Sequence, residues 1–353
     1  MASACPLATA PVLRYKNRSF AAARDESNHM ALARVAVIGA SGFIGRYVVK
    51  RLAERGAVIA ALGRDTERVT QLMPMGDVGQ IAGLRASLLD EKRLAAALDG
   101  VDAIVNLVGI LCERGTQTFD AVHHQGPGRL GRLAKAAGVK RLVHISALGA
   151  DAGSGAAYAR SKAAGEVALR AAFPEAVILR PSIVFGPEDH FFNRFAALAQ
   201  LLHVLPLIGG GTTRFQPVYV GDVADAVLRA LEDPSASGKT FELGGPRIYS
   251  FKELMQLVLA ETHRRALLPP MTFGLARLEA ALMELPAKLV SFLPDPALTR
   301  DQVELLKHDN VVSSGALTLR DLGIEPTAVE AVVPSYLVPY RRHGWFGARG
   351  MEA

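Results

Sequence analysis

The chain has 353 residues, half of them hydrophobic and 21% charged. That is length enough for one large α/β domain or two smaller ones, with an ordinary globular composition. No apolar run reaches the ~20 residues of a membrane span. The two cysteines, Cys5 and Cys112, make no disulfide framework and fit a reducing compartment. The nine histidines show no HExxH or Cys/His ligand spacing, so no metal is expected. The formal charge of +6 gathers at the ends, in Arg14, Lys16, Arg18 and Arg24 and again in Arg341, Arg342 and Arg349. With no basic run along a helix between them, no nucleic-acid partner is expected.

Residues 1–33 are rich in Ala and Arg, with no acid before Asp25. The stretch has the composition of a transit peptide, but it lacks an amphipathic period. It is read as a flexible extension, or as the product of an upstream start with Met30 as the true beginning.

From Arg34 strands and helices alternate. "RVAVIGA" is a β-branched run ending in glycine, and "FIGRYVVKRLAERG" shows helical spacing at Phe43, Ile44, Val48, Val49 and Leu52. "AVIAALGR" is the second strand, "RLAAALDG" ends a helix, and "VDAIVNLVG" is a further strand. "DAVHHQGPGRLGRLAKAAG" is helical with a kink expected at Gly126-Pro127. "KRLVHISALGA", "AAYARSKAAGEVALRAAF" and "EAVILRPSIVFGP" follow as strand, helix and strand. Such alternation predicts an α/β fold, a Rossmann-type doubly wound parallel sheet with helices on both faces. Residues 34–250 are assigned to this dinucleotide-binding domain, with 186–212 contributing to a cap. Residues 251–353 are assigned to a smaller, mainly helical C-terminal portion with a basic tail.

"GASGFIG" sets Gly39, Gly42 and Gly45 on the first strand-to-helix turn, with Ser41, Phe43 and Ile44 among them. Glycine there permits a tight turn, close approach of a pyrophosphate to the backbone and close helix-on-strand packing. The helix N-terminus supplies free N–H groups for the anion. At the end of the second strand, where NAD sites carry an acid for the ribose, the chain reads Gly63-Arg64-Asp65. Arg64 there would pair with the 2′-phosphate of NADP, which favours NADPH. A one-residue shift would instead give Asp65 the acid's role. Val108 and Gly109, after the "VDAIVNL" strand, and Pro181 and Ser182, after "VILR", are further cofactor candidates.

In "YARSK", Tyr158 and Lys162 stand one helical turn apart on one face. A lysine ammonium nearby is expected to lower the tyrosine pKa, and it can also hold the nicotinamide ribose. Ser146, ending "LVHIS", completes a trio able to hydrogen-bond and protonate a substrate oxygen.

"GASGFIG", "NLVG", "HISA", "YARSK" and "LRPSIVFGPED" resemble the short-chain dehydrogenase/reductase superfamily in its extended, atypical branch, in order and spacing. "VFGPEDHFFNRFA", "QPVYVGDVADAV", "DPSASGKTFELGGP", "LTRDQVELLKHDNVV" and "LRDLGI" extend the match over nearly the whole chain beyond residue 33. They resemble the NADPH-binding accessory subunit of respiratory complex I, the subunit-nine family of the alpha subcomplex, and its bacterial relatives. The resemblance implies a tightly held NADPH and complex I subunits as partners, at the junction of the hydrophilic and membrane arms. It also implies no turnover in the respiratory reaction. The location implied is the cytoplasmic side of a bacterial inner membrane, or the matrix face of the mitochondrial one. Ser87 replaces an Asp common near the adenine, and His124 sits where an asparagine is common. Because the serine, tyrosine and lysine are all kept, an active NADP-dependent reductase or epimerase of quinone or isoprenoid metabolism stands as the alternative.

Near the C-terminus, Leu275, Leu278, Leu282 and Leu285 recur at helical spacing. They form either an internal packing face or a docking face. Glu279 and Glu284 favour protein over lipid as what covers it, while the tail "YRRHGWFGARG" is placed for peripheral membrane contact.

Overall fold

Six strands follow one another from Arg34: β1 (Arg34–Ile38), β2 (Val58–Gly63), β3 (Ile81–Arg85), β4 (Ala103–Asn106), β5 (Arg141–Ile145) and β6 (Val177–Pro181). In this computed structural model they join a seventh strand, Thr240–Leu243, in one parallel sheet ordered seventh–β6–β5–β4–β1–β2–β3. The structure describes residues 34–289, 296 and 298–342. The expected flexible extension at 1–33, and the tail beyond residue 342, lie outside the described residues.

Alternation along the strands explains the layering. Val35 and Val37 face one way, with Ile59, Val105 and Val143; Ala36 and Ile38 face the other, with Leu62, Ile104 and Leu142. The first face is covered by α1 (Phe43–Glu54), and the short α2 (Thr66–Thr70) follows β2. The second is covered by α3 (Glu91–Ala97), α4 (Gly126–Ala136) and α5 (Ala157–Ala172) through Leu94, Leu130 and Leu169. This is the doubly wound Rossmann-type sheet expected from the strand–helix alternation. Its switch point lies between β1 and β4.

The kink expected at Gly126-Pro127 takes a different form. A π-helical turn, Asp120–Gln125, runs without a break into α4, and the chain takes in Pro127 just after this widened turn.

Beyond β6 come α6 (Phe192–Leu201), then α7 (Val220–Glu232), which joins α1 on the first face. They are followed by α8 (Phe251–Glu261), α9 (Phe273–Leu289), α10 (Arg300–Leu305) and α11 (Val329–Tyr336). Phe185, Phe192, Phe215, Phe251, Val329 and Tyr336 build a separate, largely aromatic core joining α6, α8 and α11. The chain also returns to the sheet: Leu319 and Leu322 pack into the α1–α7 face. On α9 the packing face is Ala276 and Ala280, with Ile208 and Val303. Leu275, Leu278 and Leu282 are exposed, so these three are not packed against the described residues. The Leu285 side chain lies outside the description. Among the described residues no helix is long and apolar enough to cross a membrane.

Candidate functional site

The first turn after β1 is tight because Gly39 takes a left-handed φ of 84°, and its missing side chain lets Leu107 and Val108 close in from β4. Gly42 is the N-cap of α1 and has no side-chain cap, so the first-turn N–H groups face outward. A β-carbon on Gly42 would meet nothing but the Gly39 carbonyl at 3.2 Å and would project into the open side of the turn. On buried Gly45 it would run into the carbonyls of Gly39 and Ala40. Ile44 packs on the core, the Phe43 ring lies beside Gly186, and Ser41 Oγ rests against the end of β2. An exposed helix start, a glycine cradle and a switch-point crevice together fit a dinucleotide pyrophosphate.

At the end of β2, Asp65 is committed elsewhere. Its carboxylate accepts from the N–H groups of Glu67 (3.0 Å) and Arg68 (3.4 Å) as the N-cap of α2. Arg64 is left exposed at the strand end. Arg85, also exposed, ends the neighbouring β3 opposite Gly63. Ser87 Oγ accepts from Leu89 N–H at 3.2 Å within its own turn.

On the other side of the switch point, Val108 and Gly109 form a loop pinned from two directions. Asn106 Oδ1 accepts from Val108 N–H (3.2 Å), and His123 Nε2 accepts from Ile110 N–H (3.0 Å). His123 therefore carries its proton on Nδ1, which donates to Ser161 Oγ (3.0 Å), and that hydroxyl donates to the Tyr158 carbonyl (2.7 Å). The His123 ring stacks on Phe119 and meets the Tyr158 ring edge-on at 5.3 Å. Burial, then the Lys162 charge, pushes the His123 pKa down to about 2, so this imidazole stays neutral. His124, the histidine singled out in the sequence, is half-buried and pairs with Asp120 at 2.8 Å. The histidine of the site is its neighbour.

Lys162 is buried, and Gly109 leaves room for it: a β-carbon there would stand 3.3 Å from Nζ. Nζ donates to the Ile145 carbonyl at 3.3 Å and lies 5.9 Å from the centre of the Tyr158 ring. Burial draws the Lys162 pKa down to about 8. The half-buried Tyr158 phenol moves the opposite way from the sequence expectation, up to about 12. Burial is the larger cause, and the carboxylate of Asp301 adds to it. That carboxylate accepts from the N–H groups of Ala157 (2.6 Å) and Tyr158 (3.0 Å), capping α5 from a distant part of the chain. Ser146 Oγ is buried without a hydrogen-bond partner, as is His144 Nε2. Asn106 Nδ2 donates to His144 Nδ1 at 3.0 Å, which leaves the His144 proton on Nε2.

Pro181 closes β6, and its carbonyl accepts from Leu148 N–H at 3.0 Å. The Ser182 hydroxyl is already taken, donating to Asn310 Oδ1 at 2.6 Å. It is tied to the C-terminal portion rather than turned toward the crevice. The glycine turn, Val108, Gly109, Ser146, Tyr158 and Lys162 gather at the carboxyl ends of β1, β4 and β5. Arg64 stands apart at the outer strands.

The sequence pattern of the NAD dependent epimerase/dehydratase family matches residues 35–244. The chain belongs to that family. The chain is 37% identical over 316 residues (87% of this chain, 78% of the other) to the Arabidopsis thaliana mitochondrial NADH dehydrogenase [ubiquinone] 1 alpha subcomplex subunit 9. It is 36% identical over 315 residues (88% and 81%) to the same subunit of Mus musculus. An Escherichia coli NADPH-dependent quinone oxidoreductase solved with NADPH superposes with a TM-score of 0.67 at 23% identity, covering 86% of this chain and 99% of that one. That likeness is one of fold.

A dinucleotide of the NAD(P) class therefore fits this member of the epimerase/dehydratase family. Sequence reading passed over several residues of the site. Asn106 and His144 sit in apolar runs that read as core, His123 lies beside a second histidine in a polar stretch, and Asp301 and Asn310 reach the site only through tertiary contact. The capping box Thr299–Gln302 marks where α10 starts but says nothing of α5. Arg85 alone had a readable signal, as an arginine ending a strand beside "GR".

Proposed function

We propose that this chain is an NADPH-binding accessory or assembly subunit acting with respiratory complex I, and that it holds its dinucleotide without turning it over. The observation that carries the reading is the identity of 36–37% to complex I subunit-nine proteins across nearly the whole chain. The site's electrostatics support it, since a phenol pushed up to about 12 beside a lysine drawn down to about 8 is poorly placed to pass a proton at neutral pH. Lys162 then serves as a clamp on the nicotinamide ribose. Arg64, joined by Arg85, serves the 2′-phosphate that distinguishes NADPH.

Residues 34–250 would hold the cofactor. Residues 251–353, with the outward leucines of α9, would meet complex I subunits near the arm junction and make a peripheral membrane contact. The location proposed is the cytoplasmic face of a bacterial inner membrane, or the matrix face of the mitochondrial one. Affinity purification from solubilised membranes tests this reading: complex I chains should co-purify with NADPH-loaded protein. Recovery of the chain alone, with NADPH turned over against a quinone, would replace it.

A second reading has its own observation. The orphaned, buried Ser146 Oγ, together with Tyr158 and Lys162, is what an active NADP-dependent reductase or epimerase would keep.

A further inference from the structure

Where α6 and α8 end, a cavity of about 390 Å³ is lined by Ala199, His203, His263, Arg264, Arg265 and Arg342, with no acid in its wall. It is remote in the chain from the glycine turn and the Tyr158 helix. Basic groups after a helix often serve only to offset the partial negative charge of its C-terminus. Arg264 lies outside that role, because its Nε donates to the carbonyl of Tyr340, in another element, at 2.8 Å. The nearby Glu261 is engaged by Arg341, which donates to its carbonyl at 2.8 Å and faces its carboxylate at 3.6 Å. Arg265 and Arg342 are exposed and have no ion-pair partner among the described residues. His263 holds the corner with a left-handed φ of 52°, a conformation a non-glycine residue adopts at a cost.

The rim of this pocket is aliphatic. Leu201 (78% exposed), Leu202 (48%), Val204 (44%) and Leu267 (71%) flank the lining residues His203 and Arg265 along the chain. Val204 and Leu267 form a β-bridge, and Leu267 N–H donates to the His203 carbonyl at 2.8 Å, so rim and pocket are one piece of structure. A soluble anion has no use for four exposed aliphatic side chains, and a nucleic acid would call for aromatic or extended basic contacts. A concave basic pocket ringed by aliphatics fits the bilayer interface, where a phosphate is held while the rim enters the acyl boundary.

We propose that this pocket binds the phosphate headgroup of an anionic phospholipid. The proposal rests on the peripheral membrane contact put forward above, but not on the complex I association. The test is co-sedimentation of the full chain with vesicles of phosphatidylcholine alone or mixed with phosphatidylglycerol. The chain should bind the mixed vesicles and not the neutral ones. The variant Arg264→Gln/Arg265→Gln/Arg342→Gln should bind roughly a hundredfold more weakly, given the contribution of each basic residue at an anionic surface. Leu201→Ser/Leu267→Ser should also weaken binding, and millimolar inorganic phosphate should not displace the chain. Unchanged NADPH content would show that both variants are folded. Equal binding by the arginine variant, or no binding to anionic vesicles, would overturn the proposal. So would full displacement by phosphate with the leucine variant unaffected, which would mark a soluble-phosphate site. Because no complex I is present, failure here leaves the proposed association standing, and loss of co-purification leaves the vesicle result standing.

Discussion

Lys162 spends its one described hydrogen bond on the Ile145 carbonyl, and its pKa falls from 10.5 to about 8 because the charged form is buried. Between those values the folded chain binds fewer protons than the unfolded one, so this group's contribution to stability rises with pH. The cost of the buried charge is full below about pH 8 and fades above it. Dinucleotide retention should run the other way, weakening as pH rises through about 8, because a neutral amine holds the ribose hydroxyls less well than an ammonium. Titrating NADPH by fluorescence from pH 7 to 10 checks this; Lys162→Met should flatten the curve, and a flat wild-type curve would remove the clamp. The neighbouring phenol provides a second test. Tyr158→Phe should leave cofactor content and complementation of a deletion strain nearly intact, while Lys162→Ala loses cofactor. Complementation by Lys162→Ala but not by Tyr158→Phe would make the chain an enzyme, with the 10²–10⁴-fold cost typical of a lost general acid. At the other end of the crevice, Arg64→Asp should weaken NADPH more than NADH by about 1.5–3 kcal/mol, the worth of a charge-assisted hydrogen bond. Comparing the two dissociation constants decides it, and equal losses would show that Arg64 does not read the 2′-phosphate.

Among the elements, α5 owes its start to α10. Its N-cap residue, Ala156, supplies no side-chain acceptor, and Asp301 accepts from the two free N–H groups in its place. Asp301→Ala should cost about 1–2 kcal/mol by urea denaturation, as the loss of a helix cap does. It should also let the Tyr158 pKa drop, because one of the two causes of its rise is gone. Unchanged stability would mean that the cap is replaced by solvent. The glycine turn and α1 were legible because their signal is local: period, glycine spacing and the strand before them all lie within one stretch. The parallel sheet and its doubly wound order followed from the same alternation. The support of Tyr158 was not legible, because Asp301 stands 143 residues away and nothing near "YARSK" marks the need for it. On α9 the sequence left an internal packing face and a docking face both open for the leucines, and the exposure of Leu275, Leu278 and Leu282 removes the first for those three. Periodicity shows that a stripe exists, but Ala276 and Ala280, with the smaller side chains, were the ones that fitted against the neighbouring elements.

For the molecule as a whole, the two neutral histidines set an acid limit. His123 and His144 titrate at about 2 and about 3 in the folded chain, against 6.5 when exposed, in both cases chiefly through burial. The unfolded chain therefore binds more protons as pH falls below 6.5. Stability is lost from there toward pH 3, each histidine contributing about 1.4 kcal/mol for every further drop of one in pH. Thermal midpoints measured from pH 7 to 4 should fall steeply, and His144→Gln should flatten the fall; a pH-independent midpoint would refute the account. One tie between the two halves has a further consequence. Residues 301 to 310 grip the molecule twice, Asp301 at the start of α5 and Asn310 at Ser182 beyond β6. Because Asp301 caps the helix that carries Tyr158 and Lys162, a partner that stabilises this grip should tighten the cofactor, and by thermodynamic reciprocity the cofactor should then tighten the partner by the same factor. Hydrogen exchange would read the coupling directly: adding NADPH should slow deuterium uptake in the 301–310 segment as well as in the glycine turn.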